Sequence, residues 1–240
     1  MNIQEFSDFM IEYGKYIHVV FTEEQLQKFF QYMNVLIEWN QNINLTAIVE
    51  PKEIILKHFI DSLTVMKYMD LDKSVIDIGT GAGFPGIPIK IVRPDLKVTL
   101  LDSLNKRINF LNEIISLLDL KNIETVHARI EEYGKNMHYR EKYDVATSRA
   151  VANLTTLSEY MLPMVKVKGK ALYMKGADIE EELYKSQHSI KLLGGEMVKV
   201  ESFSLPKSDY KRNILIVEKK VHTPMKYPRK PGIPSKDPLY

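Results

Sequence analysis

Residues 74–88 read Ser74-Val75-Ile76-Asp77-Ile78-Gly79-Thr80-Gly81-Ala82-Gly83-Phe84-Pro85-Gly86-Ile87-Pro88. The stretch begins as an apolar, β-branched run, which predicts a buried strand, and then breaks into glycines. Residues 87–92 continue as a predicted helix. A strand, a glycine turn and a helix form a nucleotide-binding corner, with the ligand at the carboxyl end of the strand.

Two kinds of ligand compete for this corner. Residues 81–86 match the G-x-G-x-x-G pattern of dinucleotide sites. Pro85 and Pro88, however, lack the amide hydrogens that a pyrophosphate needs at the start of a helix. Asp77, two residues before the first glycine, adds a carboxylate that would repel phosphate but suits a ligand carrying an ammonium and a sulfonium. The pattern Asp-x-Gly-x-Gly-x-Gly resembles the first motif of S-adenosylmethionine-dependent methyltransferases.

Two simpler interpretations of the glycines compete with a cofactor site. A P-loop is excluded, because no Gly-Lys-Ser/Thr follows the glycines. A tight turn without any ligand stays an alternative, since turns favour glycine for its own sake.

Composition narrows the class of protein. The chain has 240 residues, of which 45% are hydrophobic and 27% charged, as in a soluble globular protein with one sizeable domain and an appendage. No apolar run approaches the roughly 18 residues of a membrane span, and the first residues show no signal-peptide pattern. The absence of cysteine excludes disulfides, thiolate metal sites and a cysteine nucleophile. We expect a cytoplasmic monomer.

Charge is distributed unevenly along the chain. Residues 1–40 carry six acidic residues and two lysines, whereas residues 219–240 carry five lysines and one arginine against one aspartate. A basic tail on a near-neutral body predicts contact with a polyanion, although a merely solvated tail explains the charge equally well.

Residues 1–70 are predicted to be a helical extension. Apolar residues recur at helical spacing from Phe6 to Tyr13, and Thr22-Glu23-Glu24-Gln25 is a capping box that opens a second helix. Residues 39–46, rich in asparagine, predict a loop, and a third helix follows Pro51.

His58 and Asp61 lie one turn apart on that third helix. They could bind a metal or form an acid–base pair, but a hydrogen-bonded structural histidine is the more common case. No third ligand accompanies them, so the sequence predicts no metal site.

From residue 73 onward the pattern alternates between strand and helix, which predicts an α/β protein with a doubly wound, mostly parallel sheet. Residues 197–203 and 213–218 predict an antiparallel hairpin that ends the sheet. Asp102 ends the second strand, 19 residues past Gly83. A carboxylate there can accept both hydroxyls of a ribose. Its alternative role is to cap the following helix.

Several blocks together resemble one family, the small-subunit ribosomal RNA methyltransferase G family, also called glucose-inhibited division protein B. The resemblance covers nearly the whole chain. Its most specific blocks are Gly83-Phe84-Pro85-Gly86 and Ser148-Arg149-Ala150. The other blocks are Trp39-Asn40-x-x-Ile43-Asn44-Leu45-Thr46, Lys57-His58-Phe59-x-Asp61-Ser62-Leu63, Leu101-Asp102-Ser103-x-x-Lys106-Arg107, Ala128-Arg129-x-Glu131-Glu132 and Tyr227-Pro228-Arg229-Lys230.

The resemblance implies a Rossmann-like class I methyltransferase domain over residues 71–220, with a seven-stranded sheet, the helical extension before it and a basic tail over residues 221–240. It implies methylation of ring nitrogen 7 of one guanosine in 16S ribosomal RNA, with S-adenosylmethionine as the methyl donor. The small ribosomal subunit or an assembly intermediate would be the partner.

The resemblance also implies a set of site residues. Arg149 would hold the cofactor carboxylate or the target nucleotide, and it is the one catalytic candidate. Ile130 and Glu131 would frame the adenine, although the family commonly has alanine where Ile130 stands. The predicted cofactor-binding residues are Asp77, Gly79, Gly81, Phe84, Asp102, Ile130, Glu131 and Arg149.

Two other functions stay open from the sequence, a dehydrogenase and a non-catalytic RNA-binding module. For the methyltransferase, we predict that Lys226, Arg229 and Lys230 contact RNA phosphates. We also predict that no residue acts as a general base, so that the rate is nearly flat from about pH 6 to 9.

Overall fold

A seven-stranded sheet forms the centre of the structure, a computed structural model that describes residues 1–71 and 73–240. The strand order is β3-β2-β1-β4-β5-β7-β6. β1 to β5 run parallel, and β7 is antiparallel to both of its neighbours, β5 and β6. The predicted fold class is therefore confirmed, including the hairpin at the end of the sheet. The strands are β1 (Ser74–Ile78), β2 (Lys97–Asp102), β3 (Ile123–His127), β4 (Tyr143–Arg149), β5 (Val165–Lys175), β6 (Gly195–Ser204) and β7 (Lys211–Lys219).

Helices cover both faces of the sheet. One face packs against the N-terminal helices, α5 and α6, and the other against α7, α8 and α9. The α-helices are α1 (Ile3–Tyr16), α2 (Glu23–Ile43), α3 (Pro51–Ile54), α4 (Asp61–Leu63), α5 (Gly86–Val92), α6 (Asn105–Leu117), α7 (Ile130–Tyr133), α8 (Leu154–Met161), α9 (Glu180–Leu192) and α10 (Ile233–Lys236). None of the helices in the described part of the chain is long and apolar enough to cross a membrane.

The apolar run of β1 is explained by burial on both faces. Val75 joins the core beneath the N-terminal helices, while Ile76 and Ile78 join the core on the opposite face. β1 pairs with β2 on one side and β4 on the other. The chain order reverses at this point of the sheet, where a ligand crevice opens beyond the carboxyl ends of the strands.

The asparagine-rich stretch is only partly a loop, which corrects our prediction for residues 39–46. Helix α2 continues to Ile43, and Asn44 ends it in the left-handed conformation. Trp39 extends the helix because its ring packs edge-on to Phe110, with ring centroids 5.5 Å apart. The Asn40 side chain then bonds to both the amide nitrogen (2.8 Å) and the carbonyl oxygen (2.9 Å) of Thr46, which holds the loop against the helix.

The third predicted helix contains a change of helical type. α3 passes into a π-helical segment (Ile55–Ile60), and α4 follows directly. A π-helical segment rotates the side chains that follow it around the helix axis, and such segments are frequent at functional sites. Here it carries His58 and leads to Asp61.

The C-terminal segment packs on the body of the protein. The Arg229 guanidinium forms a two-pronged pair with Glu159, at 3.0 Å from Nε to Oε1 and 2.8 Å from Nη2 to Oε2. Arg140 donates to the carbonyl oxygens of Thr223 and Tyr227 at 2.7 and 2.6 Å. Arg229 is therefore engaged by protein, contrary to the prediction that it contacts phosphate, whereas Lys226 and Lys230 are exposed.

Candidate active site

A cleft of about 870 Å³ opens at the carboxyl ends of β1, β2, β4 and β5. It brings together seven of the eight predicted cofactor-binding residues, all except Asp77. Those that line it are Gly79, Gly81, Phe84, Asp102, Ile130, Glu131 and Arg149.

The glycine turn brings backbone directly to the cleft. Gly79 and Gly81 have φ values of +67° and +63°, which side chains other than glycine rarely adopt. At Gly79 a Cβ would lie 2.6 Å from Cγ2 of Val151, so the position is also sterically closed. At Gly81 the nearest atom to a Cβ would be the Gly79 carbonyl oxygen at 4.0 Å. Gly81 therefore leaves a space beside the backbone that a ligand could fill.

Asp77 lies under the turn and does not line the cleft, which corrects the prediction of a carboxylate beside the ligand. Its Oδ2 accepts hydrogen bonds from the Thr80 hydroxyl (2.6 Å) and the Gly86 amide (2.8 Å). Its Oδ1 is sealed in protein without a partner among the described residues. Burial raises the pKa of Asp77 to about 6, although these two hydrogen bonds oppose the shift. The carboxylate thus ties the glycine turn to the start of α5.

Asp102 is buried at the end of β2 and also stabilises the turn. Oδ2 accepts from the Gly81 amide at 3.0 Å and from Nη1 of Arg107 at 3.2 Å. Oδ1 accepts from the Leu104 amide at 2.9 Å. Since each carboxylate oxygen has two acceptor sites, Oδ1 keeps one for a ribose hydroxyl, and the second hydroxyl requires Arg107 to move. The N-cap of α6 is Leu104, which has no side-chain cap hydrogen bond among the described residues, so the capping alternative is wrong and the ribose role stays a prediction.

The predicted adenine end is shaped by the C-terminal segment. The Glu131 carboxylate is buried and accepts a hydrogen bond from the Gly232 amide at 2.9 Å. This side chain holds the C-terminal segment in place, and Ser235 from that segment joins Ile130 at the wall of the cleft. A long-range contact of this kind has no signal in the local sequence.

Arg149, at the end of β4, connects the glycine turn with the helical extension. Its guanidinium carbon lies 5.0 Å from the centre of the Phe84 ring. Nη1 donates to the Lys57 carbonyl oxygen (2.9 Å) and pairs with Asp61 Oδ2 (3.4 Å). Burial lowers the pKa of Arg149, and nearby Asp61 and Asp77 oppose that shift. The arginine is therefore held in a fixed orientation between two sides of the cleft.

The contacts of His58 identify its tautomer. Nδ1 accepts from Nη2 of Arg149 at 3.1 Å, because arginine can only donate. Nε2 therefore carries the proton of the neutral ring and donates to the Thr46 hydroxyl at 2.8 Å. Burial, reinforced by the charge of Arg149, lowers the pKa of His58 to about 3. The ring stacks on Phe84 with centroids 4.3 Å apart. His58 is thus a hydrogen-bonded structural residue with both nitrogens engaged.

Among the residues that the prediction missed, two contact side chains at the cleft. Tyr32 from α2 stacks on Phe84, with centroids 5.5 Å apart, and its hydroxyl donates to the Ala82 carbonyl oxygen. Arg212 from β7 donates from Nε to Asp61 Oδ2 at 2.9 Å. Tyr32 is spaced as an ordinary core residue of an amphipathic helix, and Arg212 lies 151 residues from Asp61. Neither position carries a local sequence signal.

The donor set suits an organic ligand. No group of three histidine, cysteine, aspartate or glutamate residues within residues 1–71 and 73–240 could hold a metal ion. The open space beside Gly81, the free acceptor site of Asp102 and the half-buried Ile130 instead fit a nucleoside.

Comparison with known proteins decides the family. The family model described as rRNA small subunit methyltransferase G matches residues 25–215. This chain belongs to that family. It is 54% identical over 220 residues to the ribosomal RNA small subunit methyltransferase G of Desulforamulus reducens, covering 91% of this chain and 92% of the relative. It is 48% identical over 241 residues to the protein of the same name from Bacillus cereus strain B4264, covering 100% and 99%.

Solved structures agree with the family at the level of the fold. An S-adenosylmethionine-dependent methyltransferase from Aquifex aeolicus matches with a TM-score of 0.51 and 20% identity, covering 70% of this chain and 93% of that one. The TYW2 protein of M. jannaschii, solved in complex with AdoMet, matches with a TM-score of 0.50 and 15% identity, covering 64% and 73%. The fold of this chain is therefore that of a methyltransferase.

Proposed function

We propose that this protein transfers a methyl group from S-adenosylmethionine to ring nitrogen 7 of one guanosine in 16S ribosomal RNA. The observation that carries the proposal is the family match over residues 25–215, a span that contains all eight predicted site residues. We further propose that the protein acts as a cytoplasmic monomer on the small ribosomal subunit or an assembly intermediate.

The geometry of the cleft supports this cofactor. Gly79 and Gly81 would approach the methionine end, the Asp102 carboxylate would accept from the ribose, and Ile130 would pack on the adenine. S-adenosylmethionine, when bound, supplies an electrophilic methyl group on a sulfonium. A dehydrogenase is less well supported, because Pro85 and Pro88 remove amide donors from the first turn of α5.

The chain's own residues need not move a proton. Ring nitrogen 7 of guanine carries a lone pair at neutral pH, and its methylation releases no proton. His58 cannot accept one readily, since Arg149 occupies its free lone pair. What the protein contributes is the alignment of two reactants in one cleft, which alone can account for several kcal/mol of a barrier. Arg149 and Phe84, rigidly packed together, are placed to provide that alignment.

Transfer of labelled methyl groups by the purified protein tests the proposal. The protein is incubated with S-adenosylmethionine and either naked 16S rRNA or small subunits, and 7-methylguanosine is then mapped by base-specific cleavage. We expect one modified guanosine. RNA binding without methyl transfer would instead favour the non-catalytic alternative, and calorimetric binding of NAD but not of S-adenosylmethionine would favour a dehydrogenase.

The pH dependence tests the absence of a general base. Because the lowered pKa of His58, about 3, keeps its ring neutral, it does not titrate between pH 7 and 9. Single-turnover rates at saturating cofactor and RNA should be flat over that range. A neutral His58 would be in its basic form at every pH in that range, so His58→Gln tests it separately: loss of the rate with cofactor and RNA binding intact would contradict this mechanism. A wild-type rate that rises tenfold per pH unit there would contradict it as well, by revealing another group that must lose a proton.

A further inference from the structure

The cleft extends beyond the glycine turn and the strand ends. A second end is formed by the helical extension, which contributes Thr46, His58 and Asp61, and by the terminal hairpin, which contributes Phe203 and Arg212. These side chains belong to elements outside the nucleotide-binding corner. This end is therefore available to a molecule other than the cofactor.

One acceptor atom at this end is free. Asp61 is 97% buried, since only 3% of its surface is exposed, and it lines the cleft. Both hydrogen bonds of its carboxylate fall on Oδ2, from Nε of Arg212 at 2.9 Å and Nη1 of Arg149 at 3.4 Å. Within the described residues, Oδ1 accepts no hydrogen bond. It is not among the unpartnered atoms sealed in protein, unlike Oδ1 of Asp77.

The two arginines fix which oxygen is free. Guanidinium groups are donors only, so they hold Oδ2 and leave Oδ1 as an acceptor directed at a ligand. A buried carboxylate oxygen in this position selects a hydrogen-bond donor and disfavours a base that presents a lone pair. The exocyclic amino group of guanine is such a donor, and it projects from the side of the base away from ring nitrogen 7.

We propose that Asp61 is a specificity-determining residue that accepts a hydrogen bond from the exocyclic amino group of the target guanine. This inference rests on the proposed function. It makes Asp61 the residue that orients the base, with ring nitrogen 7 turned toward the glycine turn. The competing role is purely structural, in which Asp61 only positions Arg149 and Arg212.

Inosine distinguishes the two roles because it lacks only the exocyclic amino group. Small subunits are reconstituted with 16S rRNA that carries either guanosine or inosine at the mapped target position. Single-turnover methylation is measured on each for the wild type, Asp61→Asn and Asp144→Asn. Asp144 serves as the control, since it is a part-buried aspartate with ion-pair partners, as Asp61 has, but does not line the cleft.

In Asp61→Asn, the amide oxygen stays toward the two arginines, so the amide nitrogen replaces the free oxygen and cannot accept. We expect the wild type and Asp144→Asn to prefer guanosine by about tenfold or more, the usual effect of a hydrogen bond to a charged group. The preference should fall to near one in Asp61→Asn.

Two results would overturn the inference. One is equal rates on guanosine and inosine for the wild type, which decides the matter even if Asp61→Asn fails to fold. The other is a folded Asp61→Asn that binds cofactor and is slower on both substrates by the same factor. If the wild type methylates neither substrate, the proposed function fails as well, and the two failures are thereby distinguished.

Discussion

Replacing Gly81 by alanine tests the cofactor site separately from the fold. Gly81 has a φ of +63°, so alanine there carries a backbone cost of about 1–2 kcal/mol. Its Cβ would meet no protein atom closer than 4.0 Å and would project into the cleft. The free energy of unfolding of the variant should therefore fall only by this backbone cost.

The free energy of cofactor binding should fall by more than the free energy of unfolding. An added methyl group in a filled contact costs about 1–3 kcal/mol, or roughly five- to 150-fold in affinity. Gly232→Ala is the matched control, because Gly232 has a φ of +81°, would have no atom within 4 Å of its Cβ, and does not line the cleft. Alanine keeps the backbone amide that Gly232 donates to Glu131, so this contact is retained in the control.

Calorimetric titration with S-adenosylmethionine, together with denaturant unfolding, measures both effects. Gly81→Ala and Gly232→Ala should lose similar free energies of unfolding, and only Gly81→Ala should lose affinity. Wild-type affinity in a folded Gly81→Ala protein would refute the placement of the cofactor against this turn.

Other predictions concern titration and the C-terminal segment. The raised pKa of Asp77, about 6 against an ordinary 3.8, means that its contribution to stability is present at low pH and lost as pH rises through 6. The free energy of unfolding of the wild type relative to Asp77→Asn should thus fall by about 3 kcal/mol between roughly pH 3.5 and 6.5, and a constant difference in unfolding titrations would contradict it. Arg229→Ala should lose about 3 kcal/mol of stability in the same assay, because it leaves the buried Glu159 unpaired, and an unchanged midpoint would contradict this role. Replacing both Lys226 and Lys230 by alanine should leave the free energy of unfolding unchanged. The slope of log K for RNA binding against log salt concentration should become shallower by about 0.7 to 0.9 for each phosphate that the variant no longer neutralises. An unchanged slope would mean that the segment is only a solvated end.

Local sequence predicted the strands well for a physical reason. β1 ends where the glycines begin, and β2 ends at Asp102, as its apolar run indicates. Buried parallel strands carry this signal in every residue, because both faces need apolar side chains. The cofactor corner was predictable for another local reason. The positive φ at Gly79 and Gly81 favours glycine at these positions, and the glycines are visible in the sequence.

Interactions between residues distant in sequence were not predictable in this way. The burial of Asp77 beneath the turn depends on where Gly86 lies, and the end of α2 depends on a packing partner, Phe110. Arg229 resembles an exposed basic residue until the fold places Glu159 beside it. The composition of a segment indicates its net charge, but tertiary packing determines which of its charges are free.

The π-helical segment is a similar case. Its sequence, Ile55 to Ile60, has ordinary helical periodicity, and only the structure reveals the change of hydrogen-bonding pattern. The change of helical type lies where His58 and Asp61 meet Arg149. The sequence suggested that His58 and Asp61 form a pair, and in the structure both contact Arg149 and both line the cleft.

Mapping 7-methylguanosine in 16S rRNA from cells that contain or lack this protein tests the central claim most directly. We expect one modified guanosine to disappear when the protein is absent. We expect the wild-type gene and Gly232→Ala to restore the modification, and Gly81→Ala to restore it poorly at equal protein level. An unchanged pattern of 7-methylguanosine in cells without the protein would contradict the proposed methylation.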